Sequence, residues 1–240
     1  MFEKTKGIVL NIVEFSDKAS IVNIYTVQFG RLPFTLPASR SKKAALKRNL
    51  FQPLSVLELE LDIKPGRTIH KIKEARPDTT YQSLPFHPVK SAVGLFLAEV
   101  MVRYIHENEP NPALFEFLEN SFVIFDLSES GIANFHPVFL YGLLDHLGIA
   151  PHIDKEEAGY FVFEKGEVQT EKPGYGAFLD LEQTGLLTYI SQFSYKDLDV
   201  IRLNRMQRNM LTASLLEYMR YHLNINTPVK SLEVLQMLFE

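Results

Sequence analysis

Arg40, Lys42, Lys43, Lys47 and Arg48 fall within nine residues, in the company of Ser39, Ser41 and Asn49. Cations supply attraction, and short hydroxyl and amide groups add directional hydrogen bonds, which is the mixture that phosphate oxygens take. Arg31 precedes the run, and Lys6, Arg67, Lys71 and Lys73 lie in the same third of the chain. The candidate polyanion site is therefore Arg31, Arg40, Lys42, Lys43, Lys47 and Arg48, assisted by Lys6, Lys71 and Lys73. A charge run is also what a plain solvated surface looks like, so the run alone leaves both readings open. Tyr25, Phe29, Phe34 and Phe51 are candidate base-stacking platforms, with a place in the core as the alternative for each.

Residues for other chemistry are missing. The chain has no cysteine, which removes disulfides, thiolate metal sites and cysteine nucleophiles together and fits a reducing compartment. Its seven histidines form no metal-binding string. Asp145-His146 followed by His152 and Asp154 has the residue types but matches no ligand template, and a helix end accounts for it better. No glycine-rich phosphate loop and no nucleophile elbow is present. The expectation is no catalytic residue, no metal and no cofactor. A weaker basic cluster, Arg202, Arg205 and Arg208 with Arg220, is a tentative partner-binding face, since residues three apart share one side of a helix. Pairing with the acidic surface of its own domain is the alternative.

The charge as a whole is segregated. Residues 1–80 carry 14 Lys/Arg against 8 Asp/Glu, and residues 81–240 carry 11 against 21. A net charge of −4 conceals this. A basic module joined to an acidic one suggests that the first meets a polyanion. Hydrophobic content of 46 % with 22 % charged residues supports packed domains rather than disorder. No apolar run approaches a membrane span and the N-terminus lacks a signal-peptide core, so a soluble, cytoplasmic protein without membrane contact is expected.

The elements that must position these residues divide near 78–88. Gly7–Val13, Ser20–Val27, Arg31–Leu36, Val56–Ile63 and Ile69–Ala75 read as strands. Pro33 restricts the third to an edge or bulge, and Val56–Ile63 alternates apolar with acidic. Five short strands with a basic insertion after the third match a small Greek-key barrel such as an OB-fold. Beyond Pro77 the period becomes helical over Val89–His106, Ala113–Leu127, Asn134–Leu147, Leu179–Phe193 and Arg205–Leu223, with a short last helix from Thr227-Pro228. The stretch Gly159–Gly176 reads either as a strand at Tyr160–Phe163 or as a loop or hairpin. The fold class is α+β: a basic OB-fold barrel over 1–80 and a mainly α-helical, acidic domain over 81–240.

These pieces resemble the RecO family of bacterial recombination mediators. The likeness is carried by Gly7-Ile8-Val9-Leu10, Glu14-Phe15-Ser16-Asp17, Ile24-Tyr25-Thr26, Phe29-Gly30-Arg31-Leu32, Ala38-Ser39-Arg40-Ser41 and Leu50-Phe51-Gln52-Pro53-Leu54. It continues through Leu97-Ala98-Glu99-Val100, Glu109–Phe115 and Leu147-Gly148-Ile149-Ala150-Pro151. The resemblance implies a non-enzymatic protein of recombinational DNA repair that binds single- and double-stranded DNA and anneals complementary strands. It also implies work with RecR to load RecA onto DNA coated by single-strand-binding protein, whose acidic C-terminal tail such proteins contact. Many members carry a cysteine zinc site after the Gly-x-x-Pro turn. Here His152–Glu157 follows instead, so no zinc is expected, and packing through Tyr160-Phe161-Val162-Phe163 must hold that region. The alternative is an interaction adaptor whose basic barrel binds an acidic protein tail and not DNA. A nucleic-acid hydrolase is disfavoured by the missing metal and nucleophile sets.

Overall fold

The computed structural model describes residues 2–16, 19–37, 49–64, 66–106, 109–154 and 158–237. The basic run with Arg40, Lys42, Lys43, Lys47 and Arg48 lies outside the described residues.

Five strands close into a barrel: β1 (Phe2–Ser16), β2 (Ala19–Thr26), β3 (Gly30–Pro37), β4 (Val56–Asp62) and β5 (His70–Pro77), in the order β1-β2-β3-β5-β4. Neighbours are antiparallel except β3 and β5, which run parallel where Phe34 meets His70 and Thr35 meets Lys71. This is the OB-type closure the strand spacing predicts. β1 is long enough to serve two partners, with Phe2–Ile8 on β4 and Gly7–Ser16 on β2. At the shared point a side chain has no room: a Cβ on Gly7 would stand 2.5 Å from Ile24 and 2.8 Å from Leu59. Alternation in β4 turns Leu57, Leu59 and Leu61 inward, onto Val9, Val22, Ile24, Phe34 and Phe51. Pro33 pairs only with β2, because β5 reaches β3 at just two positions. It thus has the single-neighbour place its missing N–H requires.

The change from strand to helix falls at Pro77, but the compact units are Met1–Asp126 and Leu127–Glu240. Helices α1 (Pro88–Tyr104) and α2 (Pro112–Leu127) accompany the barrel. His87 caps α1 and Pro88 opens it, where a missing N–H costs nothing. Asp126 fastens the strand-to-helix linker: its carboxylate accepts the backbone N–H groups of Gln82, Ser83 and Leu84 at 2.8, 2.8 and 2.6 Å. The buried Lys90 donates to the Ser83 hydroxyl and to the Asp126 carbonyl oxygen.

In the second unit α3 (Phe135–His146) ends at Gly148, whose φ of +70° suits a glycine. Helices α4 (Leu181–Ile190) and α5 (Arg205–Leu223) each begin with a capping box, at Asp180 and Asn204. The last helix, α6 (Ser231–Met237), starts later than Thr227-Pro228. Asn224 ends α5 in the left-handed conformation and Val229 is buried before helix resumes. Gly159–Gly176 resolves into a hairpin, β6 (Tyr160–Val162) and β7 (Glu167–Gln169), with β8 (Phe178–Leu179) on the other side of β6. Phe161 and Phe163 are buried, and each meets the Tyr218 ring edge-on at 5.3 Å. His222 lies 2.8 Å from the Phe163 carbonyl oxygen. Aromatic packing through Phe161 and Phe163 therefore holds this sheet.

Candidate nucleic-acid interface

Register sorts the barrel surface. The row Val22–Phe34–His70 is buried, so the adjoining row Val13–Ile21–Thr35–Lys71 faces outward across β1, β2, β3 and β5. One step along lies Asn11–Asn23–Pro33, where the Asn23 amide donates to Asn11 Oδ1 at 2.7 Å. Lys71 is exposed, with Thr35 on one side and Asp62 of β4 on the other. This is the surface on which OB-folds take oligonucleotides. It offers amides, a hydroxyl, apolar contact and a cation.

The opposite wall, over β1, β4 and β5, is self-neutralised. A depression of about 430 Å³ there is lined by Lys4, Lys6 and Arg76 together with Glu58, Glu60 and Glu74. As many carboxylates as cations leave no net attraction for a phosphate chain.

Six of the other candidate cations are engaged within their own units. Lys6 Nζ lies 3.0 Å from both Glu119 and Asp78, and these hydrogen bonds raise its pKa. Arg31 Nη1 donates to the carbonyls of Val102 and Ile105 at 2.6 and 3.0 Å. It thus caps the C-terminal end of α1, and burial lowers its pKa. Lys73 pairs with Glu60 at 2.6 Å. In the second unit Arg202 donates to the Asp199 carbonyl, Arg205 to that of Gln236 and Arg208 to that of Leu203. Arg205 and Arg208 share a helix, yet one reaches α6 and the other the chain before α5. The structure thus brings Lys71 to the outward face and puts Arg31, Lys6 and Lys73 to work as internal ties.

The aromatic candidates are corrected. Tyr25, Phe34 and Phe51 are buried and Phe29 packs against the barrel core, so none of the four is an open platform. Phe34 and Phe51 fill the barrel, and Tyr25 stacks on Phe115 of α2 at 6.4 Å. Among the described barrel residues the exposed aromatic is Phe15, which is 68 % exposed. Its polar neighbours from Glu14 to Ser20 give no periodic signal for a binding ring, because its exposure comes from an irregularity in the β1–β2 pairing.

A zinc site of the cysteine type does not fit these residues, because there is no cysteine to supply thiolate. Among the described residues no group of three or more His, Asp or Glu stands close enough to hold a metal. No helix among them is long and apolar enough to cross a membrane.

A closed five-stranded barrel followed by a helical part defines a protein of the OB-fold class. Residues 1–81 match the family described as Recombination protein O N terminal, and residues 86–233 match Recombination protein O C terminal. The DNA repair protein RecO of Bacteroides fragilis is 37 % identical over 242 residues, covering 100 % of both chains. The RecO of Phocaeicola vulgatus is 36 % identical over 100 % of both chains. That of Flavobacterium psychrophilum is 32 % identical over 98 % of each. The chain belongs to the RecO family, and with that membership goes a role in DNA repair and recombination.

Proposed function

We propose that the protein is a DNA-binding recombination mediator that holds single- and double-stranded DNA and anneals complementary strands. With RecR it helps load RecA onto DNA covered by single-strand-binding protein, whose acidic C-terminal tail it contacts. The observation that carries this reading is where β3 ends, with a basic run next in the sequence. The chain leaves β3 at Pro37, at the same end of the barrel as the β1–β2 tip, and the next eleven residues carry Arg40, Lys42, Lys43, Lys47 and Arg48. Annealing needs no catalytic residue. Cations offset phosphate repulsion, two strands are held close, and base pairing supplies the driving energy.

A fluorescent single-stranded oligonucleotide titrated across a salt series, followed by its complement, tests the reading. With about four phosphate-bound cations the log–log salt slope is roughly −3 for single strands, and duplex formation is faster with protein than without. No binding at low salt removes the mediator reading.

A further inference from the structure

The β1–β2 hairpin carries a bulge at its tip. Glu14 pairs with Ser20 and Ser16 with Ala19, so Phe15 is an extra residue in β1 without a cross-strand partner. Bulges at barrel rims re-aim side chains, and this one leaves the Phe15 ring 68 % exposed with Val13 beside it at 51 %. An apolar ring in water is a cost that no packing within the described barrel recovers. Val13 begins the outward row that runs through Ile21 and Thr35 to the exposed Lys71. Hydroxyl and cation therefore follow Val13 along this row, and the exposed Phe15 ring stands two residues from Val13 at the β1 end of it. Phe86, a second exposed phenyl ring among the described residues of this unit, precedes α1 and belongs to no such row.

We infer that Phe15 is the base-stacking platform of the barrel and gives it preference for unpaired nucleotides. This deepens the DNA-binding reading and rests on it. Every base has a π-face, so stacking tolerates any sequence, but a duplex keeps its faces occupied. Stacking releases no counterions, so it contributes affinity without contributing to the salt slope.

Phe15→Ala should weaken binding of oligo-dT about tenfold while leaving the salt slope and duplex affinity unchanged. Phe86→Ala, the control for loss of an exposed ring, should bind like the parent. The chain contains no tryptophan, so Phe15→Trp introduces a single indole. Its emission should be quenched by oligo-dT and not by duplex, with affinity retained. Unchanged oligo-dT binding by Phe15→Ala, an equal loss with Phe86→Ala, or an unquenched indole at saturation overturns the inference while the DNA-binding reading stands. Failure of the parent protein to bind any DNA overturns both.

Discussion

Lys90 Nζ lies 2.7 Å from the main-chain oxygen of Asp126, and both residues are buried in the first unit. The pair joins the start of α1 to the end of α2, with Ser83 of the linker between them. Burial pushes the Asp126 carboxyl up, but hydrogen bonds from Gln82, Leu84 and Ser83 more than offset this and hold it below its ordinary value. A depressed carboxyl adds stability that is present above the unfolded value of about 4 and is lost as pH falls through the folded one. Asp126→Asn removes the charge from three N–H donors and should cost about 2 kcal/mol. Urea unfolding at pH 7 and pH 3.5 checks this, with a smaller difference between parent and variant at the lower pH.

His136 gives the second unit a different acid response. Its ring is fully buried, and burial, with the positive charge of Arg208 adding to it, pushes its pKa down to about 3. The native state keeps it neutral while the unfolded chain takes up a proton below about 6.5. Stability is therefore complete above that value and falls progressively from pH 6.5 towards 3. His136→Asn should flatten the fall over pH 6.5–4, even if it lowers stability at pH 7. Melting temperatures across that range decide it, and an unchanged slope would count against the buried neutral ring.

Arg31 reads as a phosphate contact by sequence and works as a helix cap in the structure. If capping is its whole task, Arg31→Ala destabilises the first unit by about 2 kcal/mol through two charge-assisted bonds. The DNA salt slope should then stay unchanged. A slope shallower by about 0.7 would assign Arg31 to phosphate after all.

Replacing Arg40, Lys42 and Lys43 together by Ala should move the single-strand slope from roughly −3 to roughly −1. An unchanged slope would take this run out of the DNA site.

Aromatic packing joins the β6–β7 sheet to α5. Phe163→Ala should cost about 3 kcal/mol or more, because the ring also meets Tyr218 and Tyr221. A chelator should leave the melting temperature of the parent protein where it was. A drop on chelation would overturn the packing account.

Much of the fold follows from local order in the chain. The alternation Leu57-Glu58-Leu59-Glu60-Leu61 specifies a strand with one wet face, and capping residues such as Asn204 mark a helix start, because both patterns act over a few residues. Segregated charge likewise divides the chain into a basic first third and an acidic remainder. What tertiary structure alone decided is which cations and rings remain available. Lys6 is tied to Glu119, 113 positions away, and Arg31 to Val102, 71 away. Tyr25 is covered by a helix whose packing no nearby residue announces. A side chain carries the same chemistry whether its partner is phosphate or its own backbone. Only the folding of distant segments onto one another selects between them, turning Arg31 into a cap and leaving Phe15 and Lys71 exposed.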